Sequence, residues 1–157
     1  MRLSYTWTLP RTSISLGTRT AIMGILNITP DSFSDGGKYL DRNLAIDRGK
    51  EMEQEGADIL DIGGESTRPG NVPVPEAEEM HRVLPVIEAL ARTLKIPISV
   101  DTYRAAVARK SIDAGAQIVN DISGLRFDTA MAPLVQETKV GIVLMHSRGG
   151  RETLHQQ

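Results

Sequence analysis

Oxygen- and amide-bearing side chains recur in this chain at the ends of short apolar runs. Asn27 closes AIMGIL, Asp61 and then Glu65 follow Ile59 and Leu60, and Asp101 follows ISV. Asn120 and Asp121 follow Ile118 and Val119, and His146 follows VGIVLM. Any one of them could simply cap the helix after a short strand. A row of five such strand ends, two bearing amides, points instead to a binding face. With no Cys in the chain, thiol nucleophiles and thiolate zinc sites are excluded. The three His, His81, His146 and His155, form no HExxH pair.

Asp101 and Asn120 fall on neighbouring strand ends. Together they can accept from and donate to the edge of a flat heterocycle bearing ring N–H and amino groups, and a pterin presents such an edge. Buried polar groups discriminate strongly, because a wrong ligand leaves them unpaired. Two loops accompany this row. Residues 27–37 (NITPDSFSDGG) hold two Asp, two Ser, a Thr and paired glycines around Phe33. Such a loop is either a flexible surface segment or a mobile lid that offers oxygen ligands to Mg²⁺ and folds Phe33 over a substrate. Mg²⁺ favours oxygen ligands and keeps several waters, often together with substrate phosphates. The GGK at its end lacks the spacing of a Walker A motif. Residues 63–70 (GGESTRPG) set Arg68 among glycines and a Pro. There it could pair bidentately with a carboxylate or phosphate.

The elements that must position these groups alternate. Residues 7–20 read as a β-hairpin turning at Leu16-Gly17-Thr18. Strands are expected over 21–26, 59–62, 98–100, 118–119 and 140–145. Helices are expected over 43–55, closed by Gly56, and over 75–94, where Pro85 should kink or divide the helix. Two more are expected over 104–114, closed by Gly115, and over 129–137, with Asp128 as N-cap. Gly56-Ala57-Asp58-Ile59-Leu60-Asp61 is echoed by Gly115-Ala116-Gln117-Ile118-Val119-Asn120, as when one βα unit is reused. Strict βα alternation argues for an α/β fold with a parallel sheet. Barrels and doubly wound sheets both bind at the C-terminal ends of their strands.

Composition agrees. The chain has 157 residues, 40% hydrophobic but only 4% aromatic, so branched aliphatics must build the core. Lys and Arg total 18 against 20 Asp and Glu, which supplies no basic stripe for nucleic acid. No apolar run approaches the ~20 residues of a membrane span. The first ten residues show no signal-peptide pattern, so a cytoplasmic location is expected.

At this point the residues carry a resemblance. Residues 23–37 (MGILNITPDSFSDGG) resemble the first signature of the dihydropteroate synthases, and residues 61–70 (DIGGESTRPG) resemble the second. The stretch PISVDTYRAAVARKSIDAGAQIVNDISG, ending at Gly124, is also similar to that family. The resemblance implies a (β/α)₈ TIM barrel that joins 6-hydroxymethyl-7,8-dihydropterin diphosphate to p-aminobenzoate, releasing pyrophosphate. It implies that Asn27 binds Mg²⁺ and the diphosphate. Thr67 contacts substrate with Arg68 beside it, and Asn27, Asp35 and Arg68 are the catalytic residues the resemblance implies. Asp101 and Asn120 hold the pterin, and Ile122 and Met145 line its pocket. Phe33 and Pro69 help form the p-aminobenzoate site, and Asp35 belongs to the first loop.

Such a barrel takes ~250 residues. The expectation for residues 1–157 is therefore one incomplete barrel domain, the hairpin followed by five βα units over 21–157. The family's later Asp, Lys and Arg-x-His groups have no counterpart, so poor activity and self-association through open sheet edges are expected. A non-catalytic pterin-binding or self-associating module and a pterin-dependent methyltransferase relative remain alternatives. The SFSDGG loop favours the synthase.

Overall fold

A computed structural model describes residues 3–28, 37–65 and 73–146. An antiparallel hairpin, β1 (Tyr5–Thr8) and β2 (Ser13–Leu16), comes first. There follow β3 (Met23–Asn27), α1 (Gly37–Gln54), β4 (Ile59–Gly63), α2 (Glu76–Ala91), β5 (Ile98–Asp101), α3 (Ala105–Ala114), β6 (Ile118–Asp121), α4 (Met131–Thr138) and β7 (Gly141–Leu144). Strands β3 to β7 form one parallel sheet in sequence order, the arrangement of successive units around a barrel wall.

Alternation along the strands divides the sheet into two faces. Leu60, Ile62, Ile98, Val100 and Val119 point to one face and are almost wholly buried against the helices. The other face carries an apolar cluster at its lower end. There Ile59 and Ile118 are buried under Leu9 and Ile14 of the hairpin, with Trp7 and Met23 packed alongside. The hairpin thus plugs the sheet at the N-terminal ends of the strands and leaves their C-terminal ends open.

Gly141 is where β7 meets this plug. A Cβ there would lie 2.5 Å from Leu9 Cδ2 and 2.7 Å from Trp7 Cζ2. Gly141→Val should therefore destabilise the fold by ~1–3 kcal/mol through overpacking. Urea unfolding reads this, and an unchanged midpoint would show that the hairpin packs elsewhere.

The repeated Gly-Ala segment is a repeated helix ending. Gly56 and Gly115 have φ of 101° and 122°. Ala57 N donates to Met52 O and Ala116 N to Ser111 O, both at 2.9 Å, while each glycine N donates three residues back at 3.0 Å. These are the paired bonds of a Schellman ending, which favours glycine. The next residue reaches the hairpin side in both copies. Asp58 Oδ2 accepts from Ile22 N at 2.8 Å, and Gln117 Oε1 accepts from Arg11 N at 3.0 Å.

Two local expectations are corrected, and of the kink or division expected at Pro85 the division does not occur. The hairpin turns at residues 9–12, where Leu9 N donates to Thr12 O at 2.9 Å, and not at Leu16-Gly17-Thr18. Gly17 (φ 97°) instead leaves room for the Leu3 carbonyl, which a Cβ would meet at 2.0 Å. Pro85 does not divide α2, which runs unbroken from Glu76 to Ala91. The carbonyl its missing N–H would have served belongs to exposed His81, within reach of water. Asp128 is not the N-cap of α4, where Ala130 holds that position. Its Oδ2 accepts from Ala105 N at 2.7 Å and so serves the first turn of α3, while Oδ1 accepts from Ala130 N at 2.9 Å.

Candidate active site

Strand register assembles the site. Asn27 pairs with Gly63, Gly63 with Asp101, and Asp101 with Asn120, giving one row across the open end of four strands. The layer beneath is Ile25, Asp61, Ser99 and Ile118, again in register. Residues two apart on a strand share a face, so both layers face the hairpin side, with the polar row beyond the apolar plug. Gly63 keeps the row open. A Cβ there would lie 3.2 Å from Asn27 Oδ1 and 3.6 Å from Asp101 Oδ2, so an amide oxygen and a carboxylate oxygen flank the bare glycine.

Burial and like charges set the electrostatics. Asp61 is 3% exposed and accepts from Asn120 Nδ2 at 2.9 Å. Burial pushes its carboxyl above the ordinary value, and the facing Ser99 and Asn120 groups oppose that push. Asp101 is pushed up to about 7, first by burial and then by the charges of Asp61, Glu79, Asp121 and Glu65. A carboxyl poised near neutrality at the mouth of a sheet can accept or donate a proton-bearing contact, and perturbed groups of this kind gather at functional sites.

Other expected residues fall as follows. Ile122 is half-buried and Met145 is exposed. They continue the alternation of Asn120 and Val143 just beyond β6 and β7, and Met145 N donates to Asp121 O at 3.2 Å. Phe33, Asp35, Thr67, Arg68 and Pro69 lie outside the described residues. Asp121, though adjacent to Asn120, faces the helices. Its carboxylate accepts from Ser123 N at 2.7 Å and Leu125 N at 2.9 Å and so shapes a turn. His146 is exposed after β7.

Two features go beyond a reading of strand ends, since β4 runs on to Gly63 and Asp61 lies within it. Asp61 supports the row from beneath, and the available signal was a carboxylate set between apolar neighbours in ILDIG. The second is an ion-pair knot. Arg104 pairs with fully buried Glu79 and, at 2.9 Å, with Glu65, and it donates to Val74 O at 2.8 Å. The Tyr103 hydroxyl donates to Glu65 Oε1 at 2.9 Å. Glu65 and Val74 flank the segment that carries Thr67 and Arg68, so the knot ties both sides of that segment to the start of α3.

Comparison with known proteins identifies relatives of the same fold. The dihydropteroate synthase of Bacillus subtilis (strain 168) is 55% identical over 139 residues, which are 88% of this chain and 49% of that protein. Dihydropteroate synthase of Xanthomonas albilineans, solved with 4-aminobenzoic acid, superposes with a TM-score of 0.87 at 44% identity, covering 94% of this chain and 53% of that one. The Burkholderia cenocepacia enzyme, solved with 7,8-dihydropteroate, gives 0.80 at 42% identity, over 95% and 49%. The chain spans about half the length of the curated relatives it matches. The fold of the solved relatives is the TIM barrel, and the five-stranded sheet here is part of that wall. A family model described as pterin binding enzyme matches residues 23–157, and the chain belongs to that family.

Proposed function

We propose that this chain supplies the pterin-recognising part of a dihydropteroate synthase. The enzyme would condense 6-hydroxymethyl-7,8-dihydropterin diphosphate with p-aminobenzoate to 7,8-dihydropteroate and pyrophosphate. The observation that carries this reading is the row Asn27, Gly63, Asp101 and Asn120, in register at the open end of the sheet. In this reading Asp101 and Asn120 bind the polar edge of the pterin and orient its methylene outward from the strand ends. The methylene C–O bond breaks, the amine nitrogen of p-aminobenzoate bonds to that carbon and loses a proton, and pyrophosphate departs. No protein nucleophile is required. Thr67 and Arg68 are assigned to substrate contact, Phe33 and Pro69 to the p-aminobenzoate side, and Asp35 to the first loop. Ile122 and Met145 border the pterin.

Mg²⁺ belongs to the proposal. The donor set fits a cation that takes few protein oxygens and otherwise keeps water and phosphate. Asn27 Oδ1 stands at the open end beside the bare Gly63. Asn27 would hold it, and the bound ion would neutralise charge on the departing diphosphate. Among the described residues no helix is long and apolar enough to cross a membrane, and we place the enzyme in the cytoplasm. A homo-oligomer is part of the proposal.

Calorimetry tests the reading. The pterin diphosphate should bind more tightly with Mg²⁺ than in EDTA, whereas the bare pterin should be indifferent to the ion. Asp101→Ala should weaken both by ~1–3 kcal/mol, the scale of a buried partner left unsatisfied. Equal affinity with and without Mg²⁺ for the diphosphate would remove the ion, and an unaffected Asp101→Ala variant would remove the pterin row.

A further inference from the structure

We propose that Asp61 is a positioning residue. It holds the Asn120 side chain with its amide nitrogen turned inward and its carbonyl oxygen turned to the ligand. The site then selects a ring edge that offers an N–H or amino donor at that position. This rests on the reading that the Asn27–Asn120 row binds a pterin.

An asparagine amide on its own has little reason to prefer one orientation, because its two ends differ in chemistry but hardly in shape. Here the choice is made from below. Asp61 is buried at 3% exposure, two residues down its strand from Gly63 in the row, roughly 6.6 Å away at the ordinary rise per residue. It therefore contributes to recognition only through its neighbours. Its Oδ2 lies 2.9 Å from Asn120 Nδ2. A carboxylate only accepts, so a turned amide would set oxygen against oxygen and leave a buried charge without its donor. The planar amide then directs Oδ1 away from Asp61.

Asp101, in register with Asn120, is itself an acceptor when ionised. The two strand ends side by side thus present acceptors to one ring edge. A ring with an amino group there satisfies Asn120. The same ring with a carbonyl oxygen in place of the amino group faces it oxygen to oxygen.

The test uses the full chain with Asp61→Asn, which keeps the shape of the side chain and removes its charge. The ligands are 6-hydroxymethylpterin and its lumazine counterpart, in which a carbonyl oxygen replaces the 2-amino group. In the wild type the pterin should bind far better than the lumazine. In Asp61→Asn the Asn120 amide populates both orientations, so pterin affinity should fall about tenfold while the lumazine holds or gains, one hydrogen bond being worth about that factor. Equal weakening of both ligands would mark a merely structural residue and overturn the proposal.

A second readout needs no ligand. In the wild type the Asn120 side-chain NH₂ signals should exchange slowly with solvent, and in Asp61→Asn they should exchange quickly. Unprotected signals in the wild type would overturn the proposal even if the variant failed to fold. If the wild type binds neither ring, the pterin reading falls and takes the selectivity claim with it, whereas the amide signals still decide whether Asp61 holds Asn120.

Discussion

Arg104→Met should destabilise this fold by ~3–5 kcal/mol, the range for breaking a buried ion pair from one side. Arg104 is the cation for two carboxylates, Glu79 and Glu65, with side-chain exposures of 2% and 11%. It also donates to Val74 O and lies over the Tyr103 ring at 4.8 Å. Burial already pushes the Glu79 carboxyl upward, while Thr102 and Arg104 oppose that push. Removing the guanidinium leaves burial and the Glu65 charge, so Glu79 moves further up. A carboxyl raised in the folded state weakens stability as pH climbs past its unfolded value, and the penalty is complete above its folded value. The Arg104→Met deficit should therefore be larger at pH 7 than at pH ~4, where both carboxyls are closer to neutral in either state. Arg104→Lys should recover only part of the loss, since one ammonium cannot reproduce the planar fork. Urea midpoints at the two pH values measure this. A loss under ~1 kcal/mol, the scale of an exposed pair, would mean the knot is effectively solvated.

The strands were legible as aliphatic runs, AIMGIL, ILDI and VGIVLM, although Ile25 and Leu144 in the outer two stay exposed. Their polar ends pointed to a binding face, and the two signatures supplied the family. Facing was less legible. Asn120 and Asp121 are adjacent and equally polar, yet one joins the row and the other caps a turn behind it. Only the pairing with Asp101 decides between them. Asp61 was visible as a strand-end acid, but its support of Asn120, 59 positions away, depends on three strands coming into register. The Arg104 knot has the same character. Its partners lie 25 or more positions upstream, and no local pattern marks them as a pair. Turn residues misled where tertiary contact outranked local preference. Gly17 serves the incoming Leu3 carbonyl, and Asp128 caps a helix other than the one it precedes. The assignments of Phe33, Asp35, Thr67, Arg68 and Pro69 rest on the signatures alone.

Asp101→Asn should make the ligand-free chain more stable at pH 8, by ~2 kcal/mol, and leave it unchanged at pH 3.5. The Asp101 carboxyl rises from 3.8 to about 7 on folding, through burial first and then through Asp61, Glu79, Asp121 and Glu65. Below the unfolded value the group is neutral in both states and costs nothing. Between the two values the unfolded chain ionises while the folded chain holds its proton, so stability falls as pH rises. Above about 7 the penalty is complete. A shift of that size bounds the effect at ~4 kcal/mol, and partial exposure at the sheet mouth reduces it. Asparagine keeps the shape and never carries the charge. Urea midpoints in EDTA at both pH values measure the difference, and an equal gain at pH 3.5 and 8 would show that charge is not its source. The same variant should lose pterin affinity, because an acceptor that ionises near neutral pH is replaced by a fixed amide. Stability gained with binding lost is the pattern expected where a folded chain holds an unfavourable group for its ligand. If both improved together, Asp101 would have no such role, and the row would have to be read without it.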